Sequence, residues 1–170
     1  MAFIPMLIVY RNKPRFSENN NPSEKDSGNE IIALAASMCG EDFCDEAVRA
    51  MVILANTDFP SRKSSENNSD NEIYKLAERY YNSDKEVYIQ KSGKKLTVPY
   101  SDISNGATLA SDDYPYLSST ASAWDSLDSG YDSGAVCVGV SLNGVDYLCR
   151  RGFSAEEALL HYLPGFEIIS

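Results

Sequence analysis

Between Gly134 and Gly165 the chain has little freedom in how it folds. Glycines punctuate an apolar run there, Gly134-Ala-Val-Cys-Val-Gly-Val-Ser-Leu-Asn-Gly144. Two short strands are expected in it and just after it, Val136 to Val140 and Val145 to Leu148, with Asn143-Gly144 supplying a two-residue turn between them. Next comes Gly152-Phe-Ser-Ala-Glu-Glu-Ala-Leu-Leu-His-Tyr-Leu-Pro-Gly165. Ser154 caps a short helix, and Glu157, three residues later, closes a capping box. Pro164-Gly165 stops that helix, and Phe166 to Ile169 adds an edge strand.

Upstream, the apolar spacing predicts three more helices. Glu30 to Ser37 carries Ile31, Ile32, Leu34, Ala35 and, just beyond, Met38 on one stripe, and Gly40 breaks it. Asp42 to Asn56 repeats Ala47, Ala50, Met51, Leu54 and Ala55 at three and four, with Asp42 near the N-cap and Asp45 and Glu46 in the first turn. Glu72 to Tyr81 places Ile73, Leu76, Ala77 and Tyr80 on one face. Glu86 to Gln90 and Lys95 to Tyr100 flank Ser92-Gly93 and predict a hairpin. Residues 101–134 are rich in Ser, Asp, Gly and Tyr and read as loop carrying function or wrapping the surface. The fold class expected is α+β, helices packed on a small, mainly antiparallel sheet built from hairpins. One domain is expected over 30–170. It follows a polar linker at 16–29, and 61–71 is a second low-complexity loop. Ala2 to Tyr10 is the most apolar run, too short to span a bilayer. It is a buried strand or the end of a membrane anchor; Arg11, Lys13 and Arg15 after it favour the anchor.

A net charge of −10 argues against nucleic acid or an anionic membrane surface as partner, since the phosphate term would repel. It suits an uncharged ligand such as a glycan. The four cysteines, Cys39, Cys44, Cys137 and Cys149, follow no disulfide-scaffold spacing and read as small core residues. Cys39 and Cys44 are five apart and the single histidine, His161, is distant, so neither metal nor cofactor is expected.

The C-terminal segment resembles the signature of the stage II sporulation protein D (SpoIID) or amidase-enhancer LytB family, roughly Gly-His-Gly-Val-Gly-Met-Ser-Gln-x-Gly-Ala and then Gly-x-Ser-x-x-Glu-Ile-Leu-x-His-Tyr-Tyr-Pro-Gly. Two earlier blocks are similar in the same order. Ile32 to Cys39 and Glu46 to Thr57 resemble Val-Val-Ala-x-Glu-Met-Pro and Glu-Ala-Leu-Lys-Ala-Gln-Ala-Val-Ala-Ala-Arg-Thr, with Met38, Glu46, Ala47, Arg49, Ala50, Ala55 and Thr57 fitting. Val87 to Thr108 resembles a hairpin leading into Tyr-His-Ser-x-Ser-Gly-Gly-x-Thr, here Tyr100-Ser-Asp-Ile-Ser-Asn-Gly-Ala-Thr108. Pro115-Tyr-Leu and Ala123-Trp-Asp125 echo the family's Pro-Tyr-Leu and Ser-Pro-Trp-Asp. Family members carry a long strand-rich insert after Trp-Asp, where this chain has only Ser126 to Gly134.

The resemblance implies a lytic transglycosylase of peptidoglycan, in which one glutamate protonates the glycosidic oxygen and then, as carboxylate, takes the proton of the sugar's 6-hydroxyl. The glutamate position is Ser37 here, and a hydroxyl cannot do this work. Ser101, Val136, Leu142, Met51 and Asn56 stand where the family has histidine, histidine, glutamine, glutamine and arginine. Packing positions are kept while proton chemistry is lost. The expected protein is therefore a catalytically impaired, extracytoplasmic, bacterial cell-wall domain, in sporulation or wall remodelling, that binds glycan strands or a wall enzyme. Its substrate-binding candidates are Ser37, Ser101, Gly106, Thr108, Cys137 and Ser141, which line a cleft or fill space left by larger side chains. An active enzyme with a relocated acid, Glu41 or Asp42, is the alternative, although those acids equally suit a helix N-terminus. A pure protein-interaction module is the second alternative. Cys137 looks too buried to act as nucleophile, and His161 reads as structural.

Overall fold

A computed structural model describes residues 24–58 and 71–170. The apolar run at 2–10, the linker up to residue 23 and the loop at 61–70 lie outside them.

One helix organises everything else. α2 (Asp45–Asp58) buries Ala47, Val48, Ala50, Met51, Val52, Ile53, Leu54 and Ala55 completely. A helix apolar all round must be covered on every side, and α1 (Glu24–Ser37), α3 (Glu72–Ser83), α4 (Leu142–Arg150) and α5 (Ala155–Tyr162) all pack on it. The expected stripe was too narrow, because Val48, Val52 and Ile53 are core as well. α1 begins at Glu24, so the segment 24–29 is helix and not linker. α2 starts at Asp45, and Glu41 and Asp42 stand in the connector before it. The acids that complement the α2 dipole are Asp45 and Glu46. α3 is capped by Asn71, whose side chain accepts from the Ile73 amide.

The strands are short and pair over long distances. β1 (Tyr88–Gln90) runs antiparallel to β4 (Glu167–Ile169), with Ile89 opposite Ile168. β2 (Tyr100–Ser101) runs parallel to β3 (Val140–Ser141). The α+β class holds, but the two hairpins do not. Ser92 and Gly93 do turn with φ of 53° and 74°, and they close a single bridge between Lys91 and Lys94. Beyond it the arms part, because Ile89 is fixed elsewhere: its amide donates to the Thr57 hydroxyl at 2.9 Å, docking β1 on the end of α2. Asn56 Nδ2 donates to the carbonyls of Lys85 and Val87 and holds the same edge.

Asn143-Gly144 is not a turn. It lies in the first turn of α4, where Ser141 is the N-cap and its hydroxyl accepts from the Gly144 amide at 3.3 Å. Gly144 is glycine for want of space: a Cβ would run into the Tyr162 hydroxyl and sit 2.8 Å from Ser122 Oγ. Gly139 is glycine for conformation and contact, with φ of 83° and a Cβ position that overlaps the Pro99 carbonyl oxygen. The α5 capping box and the closing strand β4 form as expected. Among the described residues no helix is long and apolar enough to cross a membrane.

Candidate functional site

Residues 101–134 fold back on the N-terminus of α4 through a buried polar network centred on Asp125. This residue lies in a 3-10 helix (Ala123–Leu127) and is 2% exposed. Its Oδ2 accepts from the Ser104 amide at 2.9 Å, the Ser104 hydroxyl at 2.5 Å and the Ser141 hydroxyl at 2.8 Å. Its Oδ1 has no hydrogen-bond partner. From α5, the Tyr162 hydroxyl shares a 2.6 Å bond with Ser122 Oγ, three residues before Asp125, and accepts from Trp124 Nε1 at 3.0 Å. Burial raises the Tyr162 phenol pKa above its ordinary value, and the bonds to Ser122 and Trp124 pull the other way. Apart from Asp125 Oδ1 these buried polar groups are paired, and the network fixes the 3-10 helix against α4 and α5.

That fixation forms one wall of an open groove of about 470 Å³. The α1–α2 connector supplies Gly40, Asp42 and Phe43; the 3-10 helix and the residues after it supply Trp124, Asp125, Leu127, Asp128 and Ser129. α4 supplies Asn143, Asp146, Tyr147 and Arg150. Most of its polar groups are already oriented. Asp146 accepts from the Cys44 amide at 2.8 Å and from Arg150 Nε at 2.6 Å. Arg150 also donates to the Asp42 carbonyl and lies 3.6 Å from the Asp42 carboxylate. Asn143 Nδ2 donates to Asp128 at 3.2 Å. The Trp124 and Tyr147 rings are parallel within 3°, with centroids 5.7 Å apart. Four aspartates and one arginine line the groove, so it is acidic, with apolar rings among the charges.

Five of the six expected binding residues come together, but as supports behind this groove. Ser101 is paired with Ser141 across β2 and β3. Thr108 Oγ1 accepts from the Thr120 amide, the Gly106 carbonyl accepts from the Ser122 amide, and the Cys137 carbonyl accepts from the Leu109 amide. Thr108, Cys137 and Ser141 are fully buried. Burial pushes the Cys137 thiol up to about 11. Ser37 is exposed at the end of α1, its hydroxyl donating to the Leu34 carbonyl at 2.8 Å, and it is not part of the groove lining. Of the two acids weighed as replacements, Asp42 lines the groove and Glu41 does not. His161 Nε2 donates to the Ala121 carbonyl at 2.8 Å, a structural bond. Among the described residues no group of three or more His, Cys, Asp or Glu side chains could hold a metal ion.

Sequence reasoning missed Asp128, Asn143, Asp146, Tyr147 and Arg150 as groove residues. The spacing Asn143, Asp146, Tyr147, Arg150 is helical and was available, but Asn143-Gly144 was read as a turn. No protein-family model matches the chain, and no curated protein matches it.

Proposed function

We propose that the chain is a SpoIID-like cell-wall domain that holds a glycan strand in the acidic groove and lacks the glutamate with which the family cleaves it. It works outside the cytoplasm of a bacterium, on peptidoglycan or beside an enzyme that remodels it. The observation that carries this reading is the groove's lining. Sugar rings present apolar C–H faces and rims of hydroxyls, and here Phe43, Trp124 and Tyr147 alternate with Asn143 and carboxylates that accept hydroxyl bonds. The family's acid position, Ser37, offers only a hydroxyl already bonded to its own helix.

The experiment is retention of the purified protein on peptide-stripped glycan strands, followed by product analysis. Retention that weakens in Asn143→Ala and Tyr147→Ala, with no 1,6-anhydro ends released, is expected. Failure to bind wall fragments at all favours the pure interaction module. One observation supports a second reading, an active enzyme with a relocated acid: Asp42 lines the groove. Anhydro products that vanish in Asp42→Asn would establish that reading.

A further inference from the structure

Three of the four cysteines gather around Asp146, on the side of α4 that meets the α1–α2 connector. Cys149 lies three residues after Asp146, one turn along the same helix face. The connector is tied to that face on both sides of Cys149: the Cys44 amide donates to Asp146, and Arg150 donates to the Asp42 carbonyl. These two clamps hold Cys44 close to Cys149, and each clamp sits beside the residue it brings near: Cys44 on Asp146, and Arg150 next to Cys149. Cys149 belongs to the buried core and half-buried Cys44 packs against it. Both are free thiols here. Cys39 is oriented differently, its thiol donating to the Ala35 carbonyl at 3.3 Å within α1. Cys137 stands three residues before β3, its thiol donating to the Val140 carbonyl.

We infer that Cys44 and Cys149 are a disulfide-forming pair, oxidised by a low-molecular-weight disulfide such as oxidised glutathione, and that the bond staples the two walls of the groove together. The connector carries Gly40, Asp42 and Phe43, and α4 carries Asn143, Asp146, Tyr147 and Arg150, so the bridge would join two segments that line the groove. Cys44 is the more accessible of the two and reacts first. Its thiolate attacks one sulfur of oxidised glutathione, a mixed disulfide forms, and the first glutathione thiolate leaves. The Cys149 thiolate then attacks Cys44 Sγ, and the second glutathione thiolate leaves. Two protein thiols lose two electrons, one external disulfide gains them, and the two glutathione thiolates take up the two protons. Burial, followed by the neighbouring Cys44 and the acids Glu46 and Asp146, raises the Cys149 thiol pKa to about 12, so the second step is slow at neutral pH and faster in alkali.

The test is incubation of the full chain with a reduced and oxidised glutathione mixture, trapping of free thiols by alkylation, and peptide mapping. A single Cys44–Cys149 bridge is expected, with Cys39 left a free thiol and Cys137 alkylated only after unfolding. The bridge closes a loop of about 100 residues and raises the melting temperature by roughly 5 to 15 °C over the reduced protein. In Cys149→Ser the glutathione adduct on Cys44 should persist, and in Cys44→Ser no bridge should form. A bridge to Cys39, a lasting adduct on Cys44 in the unaltered chain, or no oxidation at a poise that oxidises exposed dithiols overturns the assignment. The outcome is independent of whether any glycan binds.

Discussion

Replacing Tyr162 by phenylalanine removes one oxygen from the centre of the fold. That oxygen joins α5 to the 3-10 helix, sharing a 2.6 Å bond with Ser122 and accepting the Trp124 indole N–H at 3.0 Å. Tyr162 and Ser122 are both fully buried, so water cannot replace the lost bond at Ser122. A buried hydroxyl left without a partner costs about 1–3 kcal/mol, and the bond to half-buried Trp124 is worth about 1 kcal/mol. The expected loss is about 2–4 kcal/mol, or a melting temperature lower by roughly 4 to 16 °C. Urea denaturation followed by tryptophan fluorescence reads it directly, because Trp124 is the single tryptophan. The slope against urea should not change, since the folded surface is the same. A loss under about 0.5 kcal/mol would refute the network's role in fixing the groove wall.

Other perturbations test neighbouring parts of the account. Arg49 pairs with Asp84 at 2.6 Å and with Glu156 through two nitrogens, joining α2 to the start of α5 and the end of α3. Partial exposure screens these pairs, so Arg49→Met should cost only about 1–2 kcal/mol in urea denaturation, less in high salt. Gly139→Ala adds left-handed strain and a clash with the Pro99 carbonyl, and should cost about 2–5 kcal/mol or prevent folding, seen as loss of soluble protein or of the cooperative transition. Burial pushes Cys39 and Cys149 up to about 12 and Cys137 up to about 11, from an ordinary 9.0. The folded state favours the neutral thiols, so their contribution is complete below 9.0 and is lost as pH rises toward those values. Stability of the reduced protein should therefore fall from about pH 9 upward, and a flat profile would contradict the burial of these thiols.

What could be read from the sequence was what its local chemistry decides. The Ser154–Glu157 box and the Pro164-Gly165 stop each act within a few residues, and α5 and β4 appear where those signals place them, while α3 follows its apolar face from Glu72. Asn143-Gly144 misled because its turn preference is local while its actual constraint is not. Gly144 is required by Tyr162, in another helix, and Ser141 turns the same residues into a helix start. Ser92-Gly93 made its turn, yet β1 found β4 near the far end of the chain as partner. The site was legible only in outline. Ser101, Gly106, Thr108, Cys137 and Ser141 do converge, but Thr108, Cys137 and Ser141 are fully buried and none of the five lines the groove. Asp125 was visible only as part of Ala123-Trp-Asp125, because its partners Ser104 and Ser141 lie in other segments.

The most direct test of glycan binding in this groove is the emission of Trp124 during titration with peptide-free glycan fragments. Trp124 lines the groove and no other tryptophan contributes. A saturable change in emission, lost in Asn143→Ala and accompanied by no new anhydro sugar ends, is the predicted result. Unchanged emission at fragment concentrations that retain the protein on wall material would place the glycan elsewhere and contradict the account.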